Sequence, residues 1–327
     1  MKYIDPLYGP VELHEPVLLD LMGTAAMQRL KGVLQHGITG LIGVTRPTSR
    51  LEHSMGVMIL VQRFGAPIEE QIAAMLHDVS HTAFSHVIDY VFSGHNSQSY
   101  HEEMKESYVT GTDIPHVLAK HGYDWRIFLE EDKFPLLEQP APALCADRLD
   151  YFLRDSRDLG MASDAEVRSA LKHLVVFDQR IVMDDLDAAR WAGETYLDAD
   201  EKSWANFREI ALYELTARVI KTGLDLGILT DGELWTTDRQ VWSKLKACKD
   251  PSIQEQLKLI DPQTQFVWDE EAPTFLVDAK LRTIDPDVLQ NGSLRRLSQL
   301  DSQFARRRSE YLQRKSGRWP VRVVQSG

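Results

Sequence analysis

The sequence predicts a mainly α-helical protein with a smaller α/β region at its C-terminal end. Apolar residues recur at helical spacing through most of the first 180 residues. Short alternating segments that favour strands begin only at Arg180, with RIVMDD. The chain has 327 residues, of which 43% are hydrophobic, and this is enough for two domains or for one domain with a substantial appendage. We therefore expect a division into residues 1–180 and 181–327.

The first half of the chain contains the clearest helix signals. Helices are predicted in HEPVLLDLM and in TAAMQRLKGVL, where Thr24 is a suitable N-cap. The segment RLEHSMGVMILVQRFG is expected to end at Gly65, and PIEEQIAAMLHDVSH to begin at Pro67. After a proline-rich loop, APALCADRLDYFLRDSRDLG closes at Gly160, and SDAEVRSALKHLVV begins at Ser163. Together these segments predict a helical body.

The second half mixes helices with strands. RIVMDD is predicted to be a strand, followed by a long helical stretch from about Leu186 to Leu226 and by a helix in TDGELWTTDRQVWSKLKAC. TFLVDAKLRTI and WPVRVV alternate as strands do. Between them, GSLRRLSQLDSQFARRRSEYLQRK has the pattern of a basic amphipathic helix.

The composition argues against several classes of protein. A net charge of −12 disfavours a protein that coats nucleic acid without specificity. The two cysteines, Cys145 and Cys248, form no CxxC pair, so neither a disulfide framework nor a cysteine zinc site is expected. The start MKYIDPLYGP lacks the apolar region of a signal peptide, and no apolar run approaches the ~18 residues that cross a bilayer. We expect a soluble, cytoplasmic protein without a membrane partner.

The stretch AAMLHDVSHTAFSHVIDY places ionisable side chains among apolar ones. His77 and Asp78 are adjacent, and His81 is expected on the same helix face as His77. His86 and Asp89 are three residues apart, a spacing that lets an imidazole and a carboxylate touch. A protein core rarely buries such groups unless they are paired or bound to a metal.

A single metal ion would account for this pattern. His53 from the preceding helix, the pair His77 and Asp78, and one further carboxylate could hold it. Imidazole with carboxylate suits Mn, Fe, Ni, Co or Zn, and Mg less well. Two adjacent ligands and two distant ones leave coordination positions open for water or a phosphate oxygen. This arrangement is typical of a hydrolytic site.

The remaining carboxylate is expected in CADRLDYFLRDS. Asp147, Tyr151 and Asp155 recur at intervals of four and share one helical stripe. Asp147 can therefore reach the metal, while the other two extend along the same groove. Arg148 and Arg154 add cations that could grip phosphates.

These segments carry a resemblance to a known family. SRLEHSMGV, HDVSHTAFSH, YHEEM and ADRLDYFLRDS occur in this order. The chain from about Tyr8 to Asp164, and more loosely KLRTIDPDV, resembles the HD-domain phosphohydrolase superfamily, most of all its dNTP triphosphohydrolase branch. The resemblance implies an HD-domain helical bundle as catalytic core over residues 1–180, with residues 181–327 completing the site. It implies one divalent ion held by His53, His77, Asp78 and Asp147.

The resemblance also implies roles around the substrate. Arg50 would contact a substrate phosphate, whereas Glu52 would be structural. The side chains implied to surround the scissile phosphate are His81, His86, Asp89 and His101, with His86 and Asp89 as the candidate general-acid pair. The implied substrate contacts are Arg148 and Tyr151 at the terminal phosphate, and Gln35 and Asp155 at the sugar 3′-hydroxyl.

One feature departs from the pattern of that branch. The arginine and tyrosine expected near the base are matched only by Arg208 and Tyr213, whose spacing is too short. Base and sugar specificity therefore do not follow from the resemblance. Asp150, beside the stripe of Asp147, is expected to be solvated.

Two classes of function remain open from the sequence. The first is a metal-dependent phosphohydrolase acting on nucleotides: a dNTP triphosphohydrolase before a nucleoside monophosphatase, a pyrophosphohydrolase or a phosphodiesterase for a cyclic nucleotide or alarmone. The second is a non-catalytic nucleotide-binding or sensing module with a structural metal. The expected partners are a nucleotide substrate and further copies of the chain in a homo-oligomer. Nucleic acid is expected only through the basic segment ARRRSEYLQRK.

Overall fold

A computed structural model describes residues 1–92 and 99–324, and these form the mainly α-helical fold that was predicted. The helices are α1 Pro16–Met22, α2 Ala25–Arg29, α3 Gly37–Leu41, α4 Arg50–Arg63, α5 Ile68–Leu76, α6 Val87–Phe92, α7 Tyr100–Thr110, α8 Ile114–Lys120, α9 Ala146–Asp158, α10 Asp164–Lys172, α11 Leu186–Ala199, α12 Phe207–Asp225, α13 Asp238–Ala247, α14 Pro251–Leu257, α15 Leu297–Leu300 and α16 Ser302–Lys315. The strands are β1 Lys2–Asp5, β2 Gly9–Glu12, β3 Leu174–Phe177, β4 Arg180–Met183, β5 Gln265–Trp268, β6 Phe275–Val277, β7 Asp287–Gln290, β8 Ser293–Arg296 and β9 Trp319–Val324. Within the described ranges, no helix is both long and apolar enough to cross a membrane.

Three small sheets accompany the helices. β1 and β2 form an antiparallel hairpin. In the sheet β3–β4–β7–β8, neighbouring strands pair antiparallel except β4 and β7, which run parallel and pair through Met183 and Val288. In the antiparallel sheet β5–β9–β6, Val321 of the central strand pairs with Trp268 and Phe275. Apart from the N-terminal hairpin, the strands of the described residues follow residue 173, which agrees with the predicted C-terminal α/β region.

Helix α4 lies at the centre of the helical body. Its N-cap Ser49 accepts a hydrogen bond from the backbone N–H of Glu52 (3.2 Å), and the Glu52 carboxylate accepts one from the backbone N–H of Ser49 (3.0 Å). Glu52 is therefore a structural residue. The helix packs against α5 and α9 and is buried on nearly all sides. Because of this burial, the polar side chains of its first turns, Arg50 and His53, need partners inside the protein.

Helix α5 ends at Leu76, so the motif HDVSH follows the helix and is not part of it. His77, Asp78 and His81 lie in the turns that follow the helix, so the prediction that His77 and His81 share a helix face is wrong. The guanidinium of Arg29 donates to the carbonyl oxygen of His81 (2.7 Å) and fixes this non-helical path. A tertiary contact thus overrides the local helical pattern.

Two further elements are interrupted where helices were predicted. The stretch from Leu186 to Leu226 is not continuous, because a π-helical turn at Asp200–Trp204 follows α11 and Asn206 caps the new helix α12. The predicted basic helix starts later than expected, because residues Ser293–Arg296 form strand β8. Only α15 and α16 are helical in that segment.

The strand predicted in TFLVDAKLRTI is confined to β6, whereas WPVRVV forms β9 as predicted. Residues 278–286 leave the sheet because other parts of the chain hold their backbone. The backbone N–H of Asp285 donates to the carbonyl of Pro142 (2.9 Å), and that of Arg282 donates to the Asp200 carboxylate (2.9 Å).

Two apolar clusters form the core. The first is built around α4, α5, α9 and α11, and residues such as Ile284 and Phe304 join it from the C-terminal part. The second is built around α12, α13 and the sheet β5–β9–β6, and Ile38 and Phe84 join it from the N-terminal part. Both clusters draw residues from either side of position 180, and the division into residues 1–180 and 181–327 stays a prediction.

The capping box of α4 can be tested by stability measurements. We expect Ser49→Ala to lower the free energy of unfolding by about 1 kcal/mol, because the Glu52 N–H loses its acceptor. Ser49→Gly is the matched control and should cost only a few tenths of a kcal/mol, roughly, since glycine is tolerated at an N-cap. Urea unfolding followed by circular dichroism compares the variants. Equal stability of wild type and Ser49→Ala would contradict the capping role.

Candidate metal centre and active site

A cavity of about 380 Å³ lies where α4, α7, α9 and the turn after α5 meet. Most of the site residues expected from the sequence line this cavity, and Asp89 lies behind His86. The lining residues from that set are Gln35, Arg50, His53, His77, Asp78, His81, His86, His101, Asp147, Arg148, Tyr151 and Asp155.

The four expected metal ligands come together at one point of the cavity. His53 Nε2 lies 3.3 Å from His77 Nε2 and 2.9 Å from Asp147 Oδ1. The same Asp147 oxygen is 3.5 Å from His77 Nε2. Oxygens of Asp78 lie 3.6 Å from His77 Nε2 and 3.7 Å from His53 Nε2. Helix α4, the turn after α5 and helix α9 thus deliver their donor atoms to one small space.

The hydrogen bonds on the far side of each ring fix its tautomer. His77 Nδ1 lies 2.8 Å from the carbonyl oxygen of Ala74, which can only accept, so Nδ1 carries the proton. His53 Nδ1 lies 2.8 Å from Asp150 Oδ2 and donates in the same way. In the neutral rings, both Nε2 lone pairs then face each other and the carboxylate of Asp147. A bound cation could therefore take the place of a proton between these acceptors, and the donor set of imidazole and carboxylate suits a divalent metal.

The pKa values of these groups point the same way. Burial alone would lower the pKa of His53, but its hydrogen bonds to Asp147 and Asp150 raise it to about 10. Burial would raise the pKa of Asp78, yet the guanidinium of Arg50 holds it well below its usual range. The centre therefore favours a positive charge among its carboxylates, which is what a bound cation supplies.

Three histidines form a second row in the same cavity. The rings of His81 and His101 stack with centroids 3.8 Å apart, and His86 lies edge-on to His81 at 5.0 Å. His86 Nδ1 is 3.2 Å from Asp89 Oδ2, so the expected contact forms. Burial and the charge of Arg50 lower the pKa of His81 to about 3, and burial lowers those of His86 and His101 well below their usual range. Nδ1 of His81 and Nδ1 of His101 have no hydrogen-bond partner among the described residues, so neutral imidazoles are available to a ligand.

The two expected phosphate clamps are partly engaged within the protein. Arg50 donates through Nη1 to Asp78 (2.6 Å) and through Nε to Ser85 (2.9 Å). Arg148 donates through Nη1 to a main-chain carbonyl of the preceding loop (2.7 Å) and through Nη2 to Glu138 (3.3 Å). Each guanidinium therefore brings to the cavity a charge that is already partly balanced.

Another part of the cavity wall is built around Asp155. Its Oδ1 lies 3.1 Å from His36 Nε2, and its Oδ2 accepts a hydrogen bond from Trp204 Nε1 (2.6 Å). Burial alone would lower the pKa of His36, but the charge of Asp155 raises it to about 9, so His36 is protonated. Both oxygens of Asp155 are thus engaged by protein side chains. Gln35 Oε1, in contrast, has no partner among the described residues.

Comparison with known proteins identifies the family. The HD domain family model matches residues 50–155, the segment that contains all four expected ligands. The metal-dependent phosphohydrolase cns2 of Cordyceps militaris is 40% identical to this chain, over 88% of this chain and 85% of that protein. The chain belongs to the HD-domain family of metal-dependent phosphohydrolases.

More distant proteins agree with this assignment. The deoxynucleoside triphosphate triphosphohydrolase SAMHD1 of Gallus gallus is 25% identical, over 51% of this chain and 35% of that protein. The crystal structure of a hypothetical protein from Aquifex aeolicus matches the fold with a TM-score of 0.69 at 22% identity, over 93% of both chains. The protein is therefore an enzyme of the HD phosphohydrolase type, and the alternative of a non-catalytic sensing module is not supported.

Two residues of α9, Asp150 and Arg154, lie in surroundings other than those expected from the sequence. Asp150 is fully buried and not solvated, because its Oδ2 accepts from His53 Nδ1 and from Arg154 Nε, both at 2.8 Å. Arg154 does not line the cavity and pairs with Asp150 and with Asp5 (2.8 Å). It therefore supports the centre from behind and does not grip phosphate.

Several cavity residues come from segments in which the sequence showed no site motif. Of the pair considered near the base, Tyr213 lines the cavity, whereas Arg208 contacts the carbonyl of Pro262 and does not. The loosely matching stretch KLRTIDPDV was the one sequence signal for part of this set. The lining residues that sequence reasoning missed include His36, Tyr196, Trp204, Lys280, Arg282 and Arg308.

The basic helix α16 is largely engaged in ion pairs. Arg307 pairs with Asp198 and Glu194 on α11, and Arg314 pairs with Glu201 (2.8 Å). These pairs bind the helix to the rest of the protein, which is the common role of such a charged face. A contact with nucleic acid through α16 stays a prediction.

Asp150 provides a test of the support behind the metal centre. We expect Asp150→Asn to weaken divalent-metal binding about 10- to 100-fold, because the amide holds the His53 ring less firmly and makes Nε2 less basic. Asp158→Asn, near the end of the same helix, is the matched control and should bind metal normally. Titration with Mn²⁺ measures the affinity of both variants. Normal metal affinity in Asp150→Asn would contradict the supporting role.

Proposed function

We propose that this phosphohydrolase cleaves nucleotides by attack of water on a phosphoryl group, with deoxynucleoside triphosphates as the first candidate substrates. The observation that carries the proposal is that the four-donor centre, made of the clustered His53, His77 and Asp147 with Asp78 beside them, shares one cavity with the row of neutral histidines. A phosphoryl group that gains charge during hydrolysis needs both a cation and hydrogen-bond partners around its oxygens. The match to SAMHD1 supports the choice of triphosphates.

We assign the metal-ligand role to His53, His77, Asp78 and Asp147, for one divalent ion. Manganese is the first candidate; Fe, Ni, Co and Zn also suit two imidazoles with two carboxylates, and Mg is possible. A bound ion would supply Lewis acidity toward a phosphoryl oxygen and lower the pKa of water. The chain's own contribution is to hold the donor atoms in place, with Asp150 orienting His53.

We assign the proton transfer to His86, positioned by Asp89. In the protein without substrate, burial keeps the His86 ring neutral. A phosphate dianion in the cavity favours the protonated ring, so substrate binding itself would load the proton that the leaving oxygen needs. His81 and His101 are proposed to hydrogen-bond the phosphate oxygens through their Nδ1 atoms, which have no partner among the described residues.

The remaining substrate contacts are proposed from the same cavity wall. Arg50, Arg148 and Tyr151 would contact phosphate oxygens, and Gln35 would accept a hydrogen bond from a sugar hydroxyl through its unpartnered Oε1. Asp155 could accept from a 3′-hydroxyl only if His36 or Trp204 released one of its oxygens. Because both oxygens of Asp155 are already engaged, a second candidate function stays open. It is a nucleotide phosphohydrolase that acts on monophosphates, pyrophosphate bonds or phosphodiesters.

A substrate panel tests the proposed function. Purified protein with Mn²⁺, Co²⁺, Ni²⁺ or Mg²⁺ is incubated with dNTPs, NTPs, NMPs, dinucleotides and cyclic nucleotides, and the products are separated by chromatography. We expect inorganic tripolyphosphate and a deoxynucleoside from a dNTP. Release of orthophosphate or pyrophosphate instead would favour the second candidate. The Asp78→Ala variant should lose turnover, and unchanged turnover in it would overturn the assigned centre.

His86 tests the separation of metal binding from proton transfer. We expect His86→Ala to keep its metal, measured by elemental analysis, because none of its atoms belongs to the four-donor centre. Its kcat should fall roughly 10²- to 10⁴-fold, which is the usual contribution of a general acid. Joint loss of metal and activity would show that His86 belongs to the metal centre. Homo-oligomer assembly and a cytoplasmic location stay predictions.

A further inference from the structure

The cavity has a second cationic wall that lies outside the HD match at residues 50–155. Residues 278–286 connect β6 to β7, and Lys280, Arg282 and Thr283 of this segment line the cavity. Arg308 of α16 also lines it. The C-terminal region thus brings three positive charges to the site that contains the candidate metal centre.

Hydrogen bonds hold this segment at Arg282 and Thr283, the C-terminal end of its cavity-lining part. The Asp200 carboxylate accepts from the backbone N–H of Arg282 (2.9 Å) and from the hydroxyl of Tyr311 (2.8 Å). Arg308 Nε donates to Thr283 Oγ1 (3.1 Å). This end of the segment is therefore held against α16 and the π-helical turn, so the backbone at Arg282 is in position before a ligand arrives.

Lys280 differs from the cations contributed by α4 and α9. Arg50 and Arg148 each donate to a carboxylate of the protein, as described above. Among the residues that the structure describes, no carboxylate forms an ion pair with Lys280, which is exposed at the cavity wall. Its ammonium is thus a cation of this cavity whose charge no neighbouring acid balances at contact distance.

The two cations of the segment also influence each other and the catalytic row. The cavity wall keeps part of the solvent from the Lys280 ammonium and so lowers its pKa, and the neighbouring charge of Arg282 lowers it further. After burial and Arg50, the same two cations help to lower the pKa of His86. Positive charges that repel one another at a cavity wall are stabilised when an anion binds between them.

We propose that residues 278–286 form a phosphate-binding strap, in which Lys280 and Arg282 bind phosphate oxygens of the substrate. The ligand is a phosphate ester with at least two negative charges, because two cations of the strap meet it in addition to the candidate metal centre. The inference rests on the phosphohydrolase chemistry of the cavity and not on the choice of nucleotide.

Steady-state kinetics of Lys280 variants test the strap. With the best substrate from the panel, we expect Lys280→Ala to raise KM roughly 10- to 100-fold, the loss of one charge-assisted hydrogen bond, with a much smaller change in kcat. Lys280→Arg keeps the charge and should restore most of the affinity. Lys221→Ala, on an exposed position of α12 away from the cavity, removes the same charge and should leave KM unchanged. An unchanged KM in Lys280→Ala, or an equal rise in Lys221→Ala, would overturn the strap.

Binding of inorganic phosphate separates the strap from the proposed function. Isothermal titration calorimetry of the purified full chain measures this binding without turnover, and circular dichroism shows that each variant is folded. We expect Lys280→Ala to bind phosphate about tenfold more weakly or worse than wild type and Lys221→Ala. Undiminished binding by Lys280→Ala contradicts the strap even if nucleotides are hydrolysed. Weakened binding without hydrolysis of any nucleotide in the panel supports the strap and overturns only the nucleotide proposal.

Discussion

The central constraint in this structure is a meeting of buried imidazole nitrogens and carboxylate oxygens at one point of the cavity. Two imidazole lone pairs, on His53 and His77, face carboxylates of Asp78 and Asp147 within 3.7 Å. Counting Asp5 and Asp150 behind them, four carboxylates are accompanied by the two guanidiniums of Arg50 and Arg154. With both imidazoles neutral, two negative charges remain, and one divalent cation would neutralise them. The assembly therefore suits a divalent cation.

This centre accounts for a glycine on α4 and agrees with the position at which α5 ends. Gly56 lies on α4 facing α9, and a Cβ atom there would collide with Asp150 and Arg154. The absence of a side chain lets the two helices approach until Asp150 reaches His53. Helix α5 stops before His77, and the turn that follows places His77 and Asp78 next to His53. The sequences SMGV and HDVSH therefore contain residues that allow packing around the centre as well as residues that are candidate ligands.

The local sequence predicted what depends on local physics. Most helices from α1 to α10 and strand β9 follow their apolar periodicity, and the ordered motifs brought the four expected ligands to one cavity. The failures have a common cause. Asp150 was expected in solvent because its partner His53 is 97 residues away. The end of α5 depends on Arg29, and the path of residues 278–286 depends on contacts with Pro142 and Asp200. Periodicity within a short window carries no information on such pairs.

The same long-range contacts bring different parts of the chain to different walls of the cavity. The HD segment supplies the acidic centre and the neutral histidines. Its arginines Arg50 and Arg148 each donate to a carboxylate of the protein. Arg50 and Arg148 would therefore meet a phosphate with part of their charge already balanced, and residues 278–286 would add the cations of the proposed strap from beyond the HD match. At Asp155, in contrast, His36 and Trp204 already satisfy the group that would read a sugar hydroxyl. Under the proposed function, most polar contacts would go to phosphate, and selection among nucleotides would depend on the wall around Gln35, Tyr151 and Tyr213.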